Sequence, residues 1–301
     1  MAGNQRLPLN DKVRRAMKVP RAVARRVRDI VVSNATPKVY VASAGNRSES
    51  DNGLYVQFVE KAVRNPGIFS TFKQNRVYQT ILEHLNEADG RAYWEIVQQE
   101  APDLSADMER FKVNDVVGNP ATYVYDHVGR ISPTTLRYVK VASDLRRLFG
   151  DLTGAKVAEI GVGYGGQLLV LDQIFKLGMY SMFDLPPVLS LVSKYLESHV
   201  LNSAYRTRTL NQSDGSEAYD LVMSNYAFSE LPSRVQMKYV EKIMAQSRRG
   251  YLTMNSGTAT SLFAKDHLLI DELRAVLPPF ELLEERPLSF EGNFILVWGR
   301  N

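Results

Sequence analysis

No cysteine occurs anywhere in the 301 residues, which excludes disulfide bonds, thiol nucleophiles and thiolate-held metals. Histidine is nearly as scarce. Only His84, His127, His199 and His267 are present, so few imidazoles are on offer for general acid–base work. No paired aspartates and no HxxxH spacing gather ligands as a metal site would need, and metal-independent chemistry is expected. The chain also lacks an apolar run approaching a membrane span, an internal repeat and a recognisable secretory leader. The cytoplasm is therefore the expected compartment.

What is present begins with charge. The net charge is +4, yet residues 1–30 alone hold nine lysines and arginines against Asp11 and Asp29. Val13, Met17, Val23, Val27 and Ile30 interleave with them, which suits a basic amphipathic helix interrupted near Pro20. Residues 1–50 are read as a basic, partly helical arm. An anionic membrane surface is one partner for it; a solvated arm, or a packing arm in an oligomer, is the other reading. Nucleic acid is not expected, because aromatic residues do not interleave with the basic ones. Residues 51–150 read as a helical cap or substrate region, with helices over 53–64, 69–86, 94–99 and 134–149. Tyr55, Phe58, Val59 and Val63 recur at helical spacing, as a core-facing stripe does.

The most informative stretch is Val157-Ala-Glu-Ile-Gly-Val-Gly-Tyr-Gly-Gly-Gln167, a short apolar strand running into glycines and then a helix start. Glycines there allow a tight turn and close approach of a ligand to main-chain N–H groups. The helix that follows directs its partly positive N-terminus at the same place. Two motifs overlap. Gly161-x-Gly163-x-x-Gly166 satisfies the dinucleotide fingerprint, and Glu159-x-Gly161-x-Gly163-x-Gly165 looks like the first motif of class I S-adenosylmethionine-dependent methyltransferases. Asp184, at the end of Met179-Tyr-Ser-Met-Phe-Asp184, is placed to hold ribose hydroxyls under either reading.

From residue 156 onward one α/β pattern uses up the chain. Strands are expected at 179–183, 205–210, 219–224 and 249–255, with helices at 166–177, 187–199, 233–246 and 261–276 between them. Two further strands at 280–285 and 293–298 would form a terminal hairpin. Such alternation predicts a mostly parallel, Rossmann-like sheet of seven strands with helices on both faces, over 151–301.

Glu159-Ile-Gly-Val-Gly-Tyr-Gly-Gly-Gln167, Phe183-Asp-Leu-Pro-Pro187 and Ser224-Asn-Tyr-Ala-Phe-Ser-Glu-Leu-Pro232 together resemble the sugar O-methyltransferases of bacterial polysaccharide gene clusters. Ile131-Ser-Pro-Thr-Thr-Leu-Arg-Tyr138 and Leu148-Phe-Gly150 add to the likeness, which spans roughly 115–300. The resemblance implies S-adenosyl-L-methionine as cofactor and a sugar hydroxyl, on a free or lipid-linked glycan of O-antigen or capsule, as acceptor. It assigns Glu159, Gly161, Gly163, Tyr164, Gly165, Gln167, Asp184, Leu185 and Asn225 to the cofactor. Asn211 and Gln212 would meet the adenine edge, although that polar stretch is equally at home in a solvated turn. Tyr226, Ser229 and Arg137 would line the acceptor. Ser229 as a helix cap and Glu230 as a first-turn acid remain the structural alternative.

Methyl transfer also needs a proton acceptor near the hydroxyl. His127 or Asp126 comes first, from Tyr123-Val-Tyr-Asp-His127, then Glu230, then His267. Two other functions stay open. An NAD-dependent oxidoreductase would share the glycine motif, but no YxxxK follows the fourth strand. A non-catalytic, cofactor-binding scaffold in a glycan-assembly complex would share the whole site.

Overall fold

The computed structural model describes residues 53–255 and 266–300, and its helices and strands follow from local sequence cues before tertiary packing selects among them. The basic arm expected at 1–50, with the membrane or oligomer contact read for 1–30, lies outside the described residues.

Helix α1 (Leu54–Arg64) buries Tyr55, Val59 and Ala62. The single helix expected over 69–86 is broken: a turn at Pro66–Phe69, a 3-10 turn at Phe72–Gln74, and α2 (Arg76–Ile81). Two asparagines cause the breaks. Asn65 and Asn75 leave the helical region, and their side chains accept the Ile68 and Val77 N–H groups, so each starts a new turn. Helix α3 (Glu87–Glu100) is longer than the expected 94–99, because Asn86 and Asp89 cap each other's backbone ahead of it. Strands β1 (Tyr123–Tyr125) and β2 (Gly129–Ile131) pair as a small antiparallel hairpin. Helix α4 (Pro133–Phe149) starts where the Ser132 hydroxyl accepts the Thr135 N–H, and stops at Gly150.

Then comes the main sheet: β3 (Lys156–Ile160), α5 (Gly166–Asp172), β4 (Met179–Phe183), α6 (Pro186–Leu196), β5 (Tyr205–Arg208), β6 (Leu221–Asn225), α7 (Ser233–Tyr239), β7 (Gly250–Met254), α8 (Ile270–Val276), β8 (Glu281–Glu284) and β9 (Phe294–Trp298). Their order is β5-β4-β3-β6-β7-β9-β8, with β9 antiparallel to both neighbours and the other pairings parallel. The expected seven-stranded, mostly parallel, Rossmann-like sheet is what forms. Within the terminal hairpin it is the second strand that sits inside. Phe-Ile-Leu-Val-Trp is apolar on both faces and buried, whereas Glu-Leu-Leu-Glu is polar at its ends and takes the exposed edge.

Alternate residues of the strands face two cores. Val157, Tyr180, Met223 and Tyr251 pack with the N-terminal helices, α5 and α6; Ala158, Phe183, Val222 and Leu252 pack with α7 and α8. The described residues fall within one compact unit, Asn46–Asn301. The order of connection reverses between β3 and β6, so helices leave on opposite faces and a crevice opens at the carboxyl ends of these two strands.

Candidate functional site

Beyond β3 the chain turns through Gly161, Gly163 and Gly165, at φ 75°, 57° and 88°. The first turn is the tightest. A Cβ on Gly161 would lie 2.0 Å from the Ala227 Cβ, so the loop rests directly on the chain leaving β6. Gly161→Ala combines left-handed strain with that overlap and should destabilise the fold by about 1–3 kcal/mol. The urea midpoint reads this, and an unchanged midpoint would mean that the Ala227 turn backs away freely.

Asp184 follows β4 immediately and joins the same loop. Its carboxylate accepts the Val162 N–H at 2.9 Å and the Leu185 N–H at 2.7 Å. Enclosure in the crevice pushes the carboxyl up to about 6, against the backbone N–H groups of Leu185, Val162 and Gly163, which pull it down. The residue as a whole is half-buried, and each carboxylate oxygen takes one of these loop N–H groups. Leu185 lies next to it as the residue before α6, partly buried against the core.

Glu159, one residue before the end of β3, is buried at 2% exposure and accepts the Tyr180 hydroxyl at 2.9 Å. Burial raises it to about 8, with the Tyr180 hydrogen bond opposing. A carboxyl held above its unfolded value of 4.5 keeps its proton in the folded chain while the unfolded chain loses it. The sign follows: stability from this group is fully present below pH 4.5 and is lost as pH rises towards 8. Glu159→Gln should therefore gain on the parent chain by a few kcal/mol between pH 5 and pH 8.5. Denaturant midpoints at the two pH values decide it; a pH-independent difference would show that Glu159 does not titrate there.

The end of β6 forms the opposite lip. The Asn225 amide oxygen is enclosed and has no hydrogen-bond partner among the described residues. Tyr226 takes a left-handed φ of 67° and donates its hydroxyl to Glu285, beyond β8. Beside these two residues lies a narrow hollow with room for about one water, walled by Tyr93 of α3, Arg137 and Lys140 of α4, Tyr251 of β7 and Glu285. Glu230 is close behind, at the end of the turn Ala227–Glu230. Its carboxyl accepts the Asn255 amide at 3.0 Å, and burial raises it above the usual range against that bond.

Other expected site residues have different tasks. Tyr164 is fully buried rather than lining the crevice: its hydroxyl meets the Asn114 amide at 3.0 Å, and its ring lies 4.1 Å from the Lys73 ammonium. Gln167 is buried under α4, donating to the Tyr138 carbonyl at 3.2 Å, with its amide oxygen unpartnered among the described residues. Both are drawn inward because the first turn of α5 is covered by α4. Ser229 neither caps a helix nor faces an acceptor. Its hydroxyl donates to the Tyr226 carbonyl at 2.6 Å and accepts the Asn255 N–H at 3.0 Å, bracing the β6 and β7 ends against each other. Gln212 turns back on its own 3-10 turn, accepting the Thr209 N–H at 2.7 Å, and Asn211 is exposed beside it. Asp126 and His127 occupy the exposed tip of the β1–β2 turn, whose recorded contact runs from Trp94 of α3 to the Asp126 carbonyl. None of Asp126, His127 and Glu230 lines the hollow beside Asn225 and Tyr226. His267 is half-buried and follows Asp266, the first described residue after 256–265, which lie outside the described residues.

Sequence reading missed Tyr93, Lys140 and Glu285 as cleft residues. Arg137, Lys140 and Asp144 do stand on one helical face at i, i+3 and i+7, which was a legible signal. Tyr93 and Glu285 reach the cleft only through tertiary packing. Among the described residues no three His, Asp or Glu side chains gather as a metal site would need.

No known protein family's sequence profile matches the chain, and no curated protein matches it by sequence. Solved structures do resemble it. Magnesium protoporphyrin IX methyltransferase from Synechocystis is 14% identical, over 71% of this chain and 98% of that one, with a TM-score of 0.39. The N-methyltransferase NodS from Bradyrhizobium japonicum is 12% identical over 55% and 92%, with a TM-score of 0.38. The methyltransferase domain of the bacterial protein CtHen1 is 14% identical over 54% and 96%, with a TM-score of 0.40. Likenesses at this level assign no activity, and the fold stands on the chain's own strand order.

Proposed function

We propose that this chain is an S-adenosylmethionine-dependent O-methyltransferase acting on a sugar hydroxyl in the building of a bacterial surface polysaccharide. One observation supports the cofactor: the Asp184 carboxylate is fastened to the glycine loop at the strand-order switch, where the enclosed Asn225 amide oxygen ends β6 with no hydrogen-bond partner among the described residues. These residues fit the group. Asp184 would accept from a ribose diol, and the Asn225 oxygen would accept from an ammonium. The terminal hairpin, with β9 antiparallel inside β8, is the arrangement of class I methyltransferases. The sugar acceptor is supported by the resemblance of the Ser224–Pro232 block.

When bound, the sulfonium supplies an already activated methyl group, so the protein's share is alignment, exclusion of water and removal of one proton. Tyr226 and Asn225 position the acceptor at the β6 lip. Glu230 receives the proton: its raised carboxyl lies nearer the working pH than an ordinary glutamate. Among the described residues no helix is long and apolar enough to cross a membrane.

Calorimetric titration of the full chain with S-adenosylhomocysteine, with NAD in parallel, tests this reading. Micromolar binding of the former alone supports it. Binding of NAD alone replaces it with an oxidoreductase, and binding of neither favours a scaffold.

A further inference from the structure

The Arg137 guanidinium stands apart from every other charge in the cleft. The residue is 7% exposed, yet its N–H groups make no hydrogen bond to any described residue, and its Nε is wholly enclosed. No carboxylate among the described residues comes within 4.0 Å of it. A buried cation left in this state is costly, because the water it gave up has not been replaced. The neighbouring charges are already engaged. Lys140 pairs with Asp144 at 2.6 Å, and Arg286 pairs with Glu100 at 2.6 Å. Both Glu285 oxygens accept from neutral groups: the Tyr226 hydroxyl, the Ser289 N–H at 3.0 Å and the Ser289 hydroxyl at 2.8–2.9 Å. Glu83, next to α2, acts on Arg137 only at longer range, as Lys73 acts on Glu83, and its one hydrogen bond comes from Thr134 at 2.8 Å. The Tyr138 ring, 5.7 Å from the guanidinium carbon, helps fix the group in place.

We propose that Arg137 is an oxyanion receptor, and that the acceptor, entering as this narrow hollow widens, carries a carboxylate or a phosphate. The chemistry fits the group, since a planar guanidinium matches either oxyanion through two parallel hydrogen bonds, which a lysine does not. The position fits the acceptor, since Asn225 and Tyr226 belong both to this cleft and to the lip of the cofactor crevice. Binding of the anion is independent of the proposed function; only its identification as the methyl acceptor rests on that reading. An acidic sugar would then be anchored by its charge, leaving a hydroxyl free to face the crevice.

The test is calorimetry on the full chain, with and without S-adenosylhomocysteine, using glucuronate, glucose 6-phosphate and glucose as probes. At least one charged sugar should bind roughly 10- to 100-fold more tightly than glucose, as expected for charge-assisted hydrogen bonds. Which of the two is preferred separates carboxylate from phosphate. Arg137→Met should abolish the preference, and Arg137→Lys should retain part of it, with S-adenosylhomocysteine affinity unchanged as the check on folding. Equal binding of glucose, no binding of either charged sugar, or a preference that survives Arg137→Met would overturn the proposal and leave Arg137 as a distant counter-charge to Glu83. Loss of S-adenosylhomocysteine binding with the charge preference intact would instead defeat the methyltransferase reading alone.

Discussion

Asp184→Asn should weaken S-adenosylhomocysteine binding by roughly 100-fold while the chain stays folded. Two hydrogen bonds to a carboxylate are replaced by weaker contacts to an amide, at ~1.5–3 kcal/mol for each charged bond. The amide oxygen still accepts one of the loop N–H groups that Val162 and Leu185 present, which is why the loop should hold. A pH signature accompanies the mutation. With the Asp184 carboxyl raised to about 6, affinity in the parent chain should fall about tenfold from pH 8 to pH 5, as the carboxylate takes up a proton. The asparagine variant should lose this dependence. Calorimetry at the two pH values reads both effects, and full affinity in the variant would remove Asp184 from the cofactor site.

Asp144→Ala should cost about 3–5 kcal/mol of stability, more than any surface pair in the chain. Asp144 is buried and accepts from Lys140 at 2.6 Å, Tyr251 at 2.7 Å and Arg147 at 3.1 Å. Its removal strands the Lys140 ammonium and the Tyr251 hydroxyl inside the protein, each without the partner that offset its desolvation. The double variant Lys140→Met with Asp144→Leu removes both charges and should recover most of the loss. Denaturant unfolding separates the outcomes. A single variant as stable as the parent would mean that water reaches Lys140. The Tyr251–Asp144 hydrogen bond also ties β7 to α4, so its loss should loosen the wall that carries Arg137.

Much of this was legible in the residues. The order of strands and helices from 156 onward, the glycine turn, and the acid closing β4 are local properties, set by apolar periodicity and by positions where only glycine fits without strain. The helix boundaries in the first half were read less well, because Asn65, Asn75 and Asn86 cap through side-chain bonds that hydrophobic spacing does not register. Asp126 and His127 attracted attention by residue type. A two-stranded hairpin nevertheless carries them to an exposed tip, and nothing in Tyr-Val-Tyr-Asp-His distinguishes a turn from an active-site loop.

Helix α4 marks the boundary between the two kinds of information. Its sequence specifies a helix, capped by Ser132 and stopped by Gly150, and places Arg137, Lys140 and Asp144 on one face. Such a charged face ordinarily meets water. In the folded chain α4 lies against α3 and buries every residue from Pro133 to Leu145, so an ordinary-looking charge pair becomes a core element and Arg137 is left without a hydrogen-bond partner among the described residues. The sequence by itself determined which groups the helix carries and how they are spaced, since both follow from neighbouring residues and a fixed helical period. Only the tertiary structure decided which of those groups were desolvated and which found a partner, because burial depends on distant segments that no local pattern encodes.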